Sequence, residues 1–219
     1  MAINQAVFFD MDGTLLQSEK LAVPAFRKTF ADLIERGHWN KDIPDEQEFT
    51  NVLGMTISQL WDRLLPGANE QTKKLANQLM LENEIILLKQ GYTDLYPDVR
   101  EVLTELKERG LDLFVASNGL ENYIAAICDY FQITGLFTDL YSAGRFATKS
   151  KNELVARLIS DYTVNRAVMV GDRHSDVEAG KTNGLFTIGC DFGFAQAGEL
   201  DGADVVVQRF AEIPEKLPF

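Results

Sequence analysis

The chain has 219 residues, 46% of them hydrophobic and 25% charged. That suits one substantial domain, or a core with a smaller insertion, and excludes a disordered or low-complexity chain. A formal net charge of −12 with no Lys/Arg run excludes a nucleic-acid footprint, because phosphate backbones are repelled overall.

The N-terminus, MAINQAVFFDMDG, lacks the basic and long apolar regions of a signal peptide. Its residues 6–10 form a short continuous apolar run, the pattern of a strand buried on both faces, and it ends in a carboxylate. From about residue 17 to 90 the pattern turns helical. EKLAVPAFRKTFADLIERG has apolar residues at helical spacing and stops at Gly37. NVLGMTISQLWDRLLPG and NEQTKKLANQLMLENEIILLKQG read the same way. After YTDLYPDV, strands and helices alternate. VREVLTELKERG is a helix, LDLFVASNG a strand into a polar turn, and LENYIAAICDYF and ELVARLISDY are helices. RAVMVGD is a strand ending in a charge, HSDVEAGKTNG a helix, and LFTIGC and ADVVV are strands. That alternation predicts a parallel sheet with helices on both faces.

Cys128 and Cys190 fall in apolar surroundings without CxxC spacing, so buried free thiols in a reducing compartment are expected. No uncharged apolar run approaches membrane-spanning length. The chain therefore reads as cytoplasmic, with no membrane and no nucleic-acid partner.

Three strands end in reactive residues. The first ends at Asp10, with Asp12 just beyond; the second ends at Ser117 and Asn118; the third ends at Asp172, with Asp176 four residues on. Lys149 and Lys151 precede a helix. In a parallel sheet these strand ends share one edge, where open α/β sheets bind ligands. The helical insertion leaves the first strand at that edge, which positions it to act as a lid. Carboxylates so close together need compensation, which a lysine and a divalent cation provide. Hard oxygen ligands favour Mg²⁺ over Zn²⁺, and Mg²⁺ in turn favours a phosphorylated ligand.

The strings DMDGTL, VASNG, a lysine before a helix, and GDRHSD occur in the order of the four motifs of the haloacid dehalogenase superfamily, which this chain resembles over nearly its whole length. The insertion resembles that superfamily's helical C1 cap, as in its phosphoglycolate phosphatase and β-phosphoglucomutase group. The resemblance implies an α/β fold: a Rossmann-like parallel sheet core with helices on both faces (1–16 and 91–219) and an inserted all-helical cap (17–90). It also implies a magnesium-dependent phosphatase acting on a small phosphorylated metabolite. Asp10 resembles the nucleophile that forms an aspartyl-phosphate, and Asp12 the general acid/base, with its main-chain oxygen on the metal. Asp172 completes the metal ligands with Asp10, and Asp176 serves as a further ligand or orients the metal's surroundings. Ser117 and Asn118 meet the phosphoryl group, and Gly13 and Thr14 turn the chain so that backbone N–H groups face it. A lysine offsets the nucleophile's charge. The motif spacing admits Lys149 or Lys151, with Lys151 favoured and Lys149 left to phosphate binding. His174 reads as an exposed helix-start residue.

Two other functions fit parts of the pattern. A phosphomutase of the β-phosphoglucomutase type returns the phosphoryl group to substrate instead of water. A phosphorylated receiver-like signalling module also gathers Asp, Ser/Thr and Lys at a sheet edge, but in about half the length and without a cap. A dehalogenase has no need of Asp12 or Asp172.

Overall fold

A computed structural model describes residues 2–52, 55–193 and 195–219. The chain forms two compact units, Met1–Gln17 with Leu95–Phe219, and Ser18–Asp94. Two links within the first unit close its excursion: Leu16 bridges to Leu95, and the Gln17 side-chain amide donates to the Leu95 carbonyl at 2.8 Å.

The first unit is built on a six-stranded sheet. Its strands are β1 (Ile3–Phe9), β2 (Asp112–Ser117), β3 (Asp139–Ser142), β4 (Val164–Gly171), β5 (Phe186–Cys190) and β6 (Val205–Val207). The order is β3-β2-β1-β4-β5-β6, and every neighbouring pair is parallel. The apolar run of the first motif is the central strand for a physical reason: Ala6 to Phe9 are fully buried, covered on both faces. Alternate residues point to opposite sides. Ala6 and Phe8 join Phe114, Met169 and residues of helices α8 (Lys151–Tyr162) and α9 (His174–Thr182), while Phe9 packs on Phe210 with 5.7 Å between ring centroids.

The sequence reading named five strands and missed β3. That strand is four residues long, DLYS, with its first two residues only half-buried, and it lies at the sheet's edge. With two polar residues among its four, it carries no apolar run of the kind that marks the shorter β6, VVV. The helices expected after β1 appear as α5 (Val99–Glu108), α6 (Glu121–Tyr130), α8 and α9, with the short α7 (Ala143–Phe146) and α10 (Ile213–Lys216) in addition.

The second unit contains helices α1 (Glu19–Glu35), α2 (Glu46–Thr50), α3 (Ile57–Leu64) and α4 (Glu70–Lys89), and no strand among its described residues. The expected helix over NVLGMTISQLWDRLLPG is shorter in the structure. It begins behind Thr56, whose side chain and Gln59 form a capping box, and ends at Leu64, just before Pro66. Leu53 and Gly54 of that stretch lie outside the described residues. The unit's core is aromatic: Phe26 stacks on Phe49 at 4.9 Å and meets Trp61 edge-on at 6.0 Å, and Phe30 meets Trp39 at 6.0 Å. No helix of the described chain is long and apolar enough to cross a membrane.

Candidate active site

The parallel register brings the ends of the three central strands level. Phe9 pairs with Val115 on one side and Val170 on the other, and the Asp10 N–H donates to the Val170 carbonyl at 2.9 Å. The strand order reverses between β1 and β4, so Asp10 and Asp172 flank the point where open α/β sheets form their ligand crevice.

Carboxylate oxygens of Asp10, Asp172 and Asp176 lie within 4.8 Å of one another, and all three residues are buried. Lys151, the first residue of α8, is equally buried. Its ammonium sits 2.8 Å from Asp10 Oδ1 and also donates to Asp176 Oδ1. The Ser150 hydroxyl caps α8 by accepting the Glu153 N–H at 3.2 Å, which fixes where Lys151 starts the helix. Asp176 is fixed in turn by the Arg173 N–H at 2.9 Å.

Burial pushes the Asp10 carboxyl up; Lys151 pulls it back, Asp176 and Asp12 oppose that, and the result is about 7. Burial, then Asp176 and Asp10, raise Asp172 well above the ordinary carboxylate range. Burial disfavours the Lys151 ammonium, yet Asp10 and Asp176 outweigh it and hold the lysine above its usual value. Burial and the same aspartates raise the buried Cys190 thiol far above its normal range, which keeps it an unreactive thiol.

One ammonium thus faces three carboxylates. Asp172 Oδ2 is buried and has no hydrogen-bond partner among the described residues, while Oδ1 accepts the Thr14 hydroxyl at 3.1 Å. A buried carboxylate oxygen left open, in a set of hard oxygen donors, is what a divalent cation such as Mg²⁺ fits.

The remaining expected residues divide. Ser117 and Asn118 are buried at the end of β2, and Ser117 Oγ accepts the Gly119 N–H at 3.1 Å. Asp12 is half-buried, and its Oδ1 accepts the Tyr123 hydroxyl at 2.8 Å. Lys149 is exposed and stands outside the carboxylate cluster; its N–H donates to Glu153 Oε2 at 2.9 Å. His174 is exposed. The N–H groups of Gly13 and Thr14 do not face an open site. They donate to the Leu16 carbonyl at 3.0 Å and the Met11 carbonyl at 3.4 Å, closing the turn. Gly13 serves by its size instead. It has φ +78°, and a Cβ there would lie 2.2 Å from Asp172 Oδ2.

Sequence reasoning missed three contributions. Thr14 acts through its hydroxyl on Asp172. Gly193 packs so closely that a Cβ would lie 2.2 Å from the Gly13 carbonyl oxygen. Tyr123 reaches Asp12 from α6. Thr14 was legible only as part of a motif, and Gly193 and Tyr123 carry no local signal, since a loop glycine and a tyrosine on an amphipathic helix are common.

A profile of the haloacid dehalogenase-like hydrolase family matches residues 5–184. The chain is 28% identical over 187 residues to phosphoglycolate phosphatase of Aquifex aeolicus, covering 84% of this chain and 83% of the relative. A crystal structure described as a predicted phosphoglycolate phosphatase from Haemophilus somnus superposes with a TM-score of 0.83 at 21% identity, over 96% of each chain. A CbbY variant from Rhodobacter sphaeroides, in complex with xylulose-(1,5)-bisphosphate, superposes with a TM-score of 0.81 at 25% identity, over 97% of this chain and 96% of that one. With its four motifs gathered at one edge of the sheet and most of its length matched, the chain is an enzyme of the haloacid dehalogenase-like hydrolase family.

Proposed function

We propose that this hydrolase is a magnesium-dependent phosphatase that cleaves a small phosphate monoester through an aspartyl-phosphate on Asp10. The observation that carries the reading is the buried Asp10 carboxylate at the end of β1, with the Lys151 ammonium at 2.8 Å and the Asp172 and Asp176 carboxylates beside it.

Asp10 attacks phosphorus, and the bond to the ester oxygen breaks. Asp12 gives its proton to that leaving oxygen, then takes one from the water that opens the aspartyl-phosphate. Lys151 balances Asp10 before the phosphoryl group arrives and meets the phosphoryl oxygens afterwards. Ser117 and Asn118, at the neighbouring strand end, orient the group. Asp10, Asp172 and Asp176, with the main-chain oxygen of Asp12, are the residues to hold Mg²⁺. When bound, the ion supplies positive charge against the transferring phosphoryl oxygens. Thr14 and Gly13 hold Asp172 in place for that duty.

Phosphoglycolate and xylulose 1,5-bisphosphate, named for similar proteins, head the substrates to try. The test is release of inorganic phosphate from a panel of sugar phosphates, nucleotides and phosphoglycolate, with Mg²⁺ and after EDTA. The expected result is Mg²⁺-dependent release from at least one small monoester. Release that EDTA leaves intact, or none across the panel, sinks the reading. Phosphate moved to a second hydroxyl of a hexose phosphate, without release, would identify a mutase.

A further inference from the structure

We propose that Tyr123 is a positioning residue for Asp12, and that its hydroxyl holds the Asp12 carboxylate where proton transfer to the leaving oxygen occurs. The inference rests on the phosphatase reading above and deepens it.

Tyr123 and Asp12 are 111 residues apart in sequence, and their contact is made by the fold. Tyr123 lies in the first turn of α6, directly after the turn that carries Ser117 and Asn118. Its ring is 7% exposed, so packing fixes where the hydroxyl points. That hydroxyl donates to Asp12 Oδ1 at 2.8 Å, a good length for a bond to a carboxylate. Asp12 itself sits in the turn after β1 and is half-buried.

A proton-transfer group has to lie within hydrogen-bond reach of the reacting oxygen, in one orientation, through two steps. A carboxylate in a loop rotates about two bonds unless something holds it. The Tyr123 hydroxyl restrains that rotation from a helix anchored in the core. The Asp10 nucleophile needs no such help, since Lys151 and the end of β1 already fix it. A buried tyrosine hydroxyl also seeks any partner simply to satisfy itself, so the test has to separate positioning from packing.

The measurement is single-turnover cleavage by wild type and Tyr123→Phe, using an alkyl phosphate and p-nitrophenyl phosphate. The alkoxide leaving group needs a proton, whereas nitrophenolate departs nearly unaided. Positioning predicts about 10-fold slower cleavage of the alkyl phosphate, under 2-fold change for the nitrophenyl ester, and KM within about 2-fold for both. In an Asp12→Asn background, Tyr123→Phe should have no further effect on either ester, because it acts through Asp12. Equal slowing of both esters, slowing of neither, or a full effect added on top of Asp12→Asn overturns the proposal while the phosphatase reading stands. A wild-type protein that cleaves neither these esters nor any of the monoester panel overturns both. Phe keeps the ring, and melting of the variant within a few degrees of wild type checks that the fold persists.

Discussion

The two units use buried polar groups in opposite ways. In the sheet unit the ionisable side chains of Asp10, Asp172, Asp176 and Lys151 are buried together, and Ser117 and Asn118 lie buried beside them. In the helical unit the buried polar residues are neutral: Asn83 donates to the Thr29 hydroxyl at 3.2 Å, and the core around them is Phe, Trp, Leu, Met, Ala and Val. Burying charge is costly, and three carboxylates against one ammonium is a poor way to stabilise a fold. Where a protein keeps such an arrangement, stability has been given up to activity. The helical unit has no comparable cluster of buried carboxylates among its described residues; burial there raises the single Glu19 carboxyl, whose Oε2 has no hydrogen-bond partner among them.

The sharpest way to break this contrast is Asp10→Asn. Turnover should fall by at least about 10³-fold. Melting temperature should hold or rise, because one of three repelling carboxylates is gone. A variant that stays active contradicts the contrast directly. Next is Lys151→Met, which removes the sole ammonium among the three. Turnover should drop about 10²–10³-fold, and stability should fall by about 3–5 kcal/mol, because the carboxylates are left uncompensated. Rate assays and denaturant melts check the two halves separately. In the helical unit, Phe26→Ala opens the stack with Phe49 and Trp61 and should cost about 3–5 kcal/mol with no charge involved. A melt of that variant with an unchanged midpoint would show that the aromatic cluster is not the unit's core.

The smallest effect sharpens the electrostatic side. Folding raises the Asp10 carboxyl from 3.8 to about 7 in the metal-free protein, so the folded state holds a proton that the unfolded state has released. Stability of the metal-free protein should therefore fall as pH rises from about 4 to 7. Mg²⁺ has to displace that proton below pH 7 and finds the carboxylate ready above it. Its stabilisation should be larger at pH 8 than at pH 5, reaching about 2.7 kcal/mol at about 100 times its Kd. Thermal melts with and without Mg²⁺ at the two pH values measure this, and equal effects at both would contradict it.

The sequence carried the site well where a residue's neighbours in the chain determine its place. Asp10 and Asp172 follow apolar runs that have to be central strands, and parallel strands put their ends on one edge, so their meeting could be read before any coordinates. Lys151 was harder. The spacing left Lys149 open, and only the start of α8, capped by Ser150, turns one lysine into the core and leaves the other in solvent. The Gly13–Thr14 turn defeated local reasoning, because its N–H groups are consumed by Leu16 and Met11 at distances set by the turn itself. Tyr123 and Gly193 were out of reach, since each matters through a neighbour far away in sequence. The edge strand β3, DLYS, lacks the apolar run that made the still shorter β6, VVV, legible.

The central claim is that Asp10 is the nucleophile. Acid quenching during turnover of a phosphate ester, borohydride reduction and mass spectrometry of the digested protein test it most directly. An aspartyl-phosphate reduces to homoserine, and the account predicts that conversion at position 10 in the wild type and nowhere in Asp10→Asn. Reduction at another aspartate, or phosphate release with no trapped intermediate at any quench time, would contradict it.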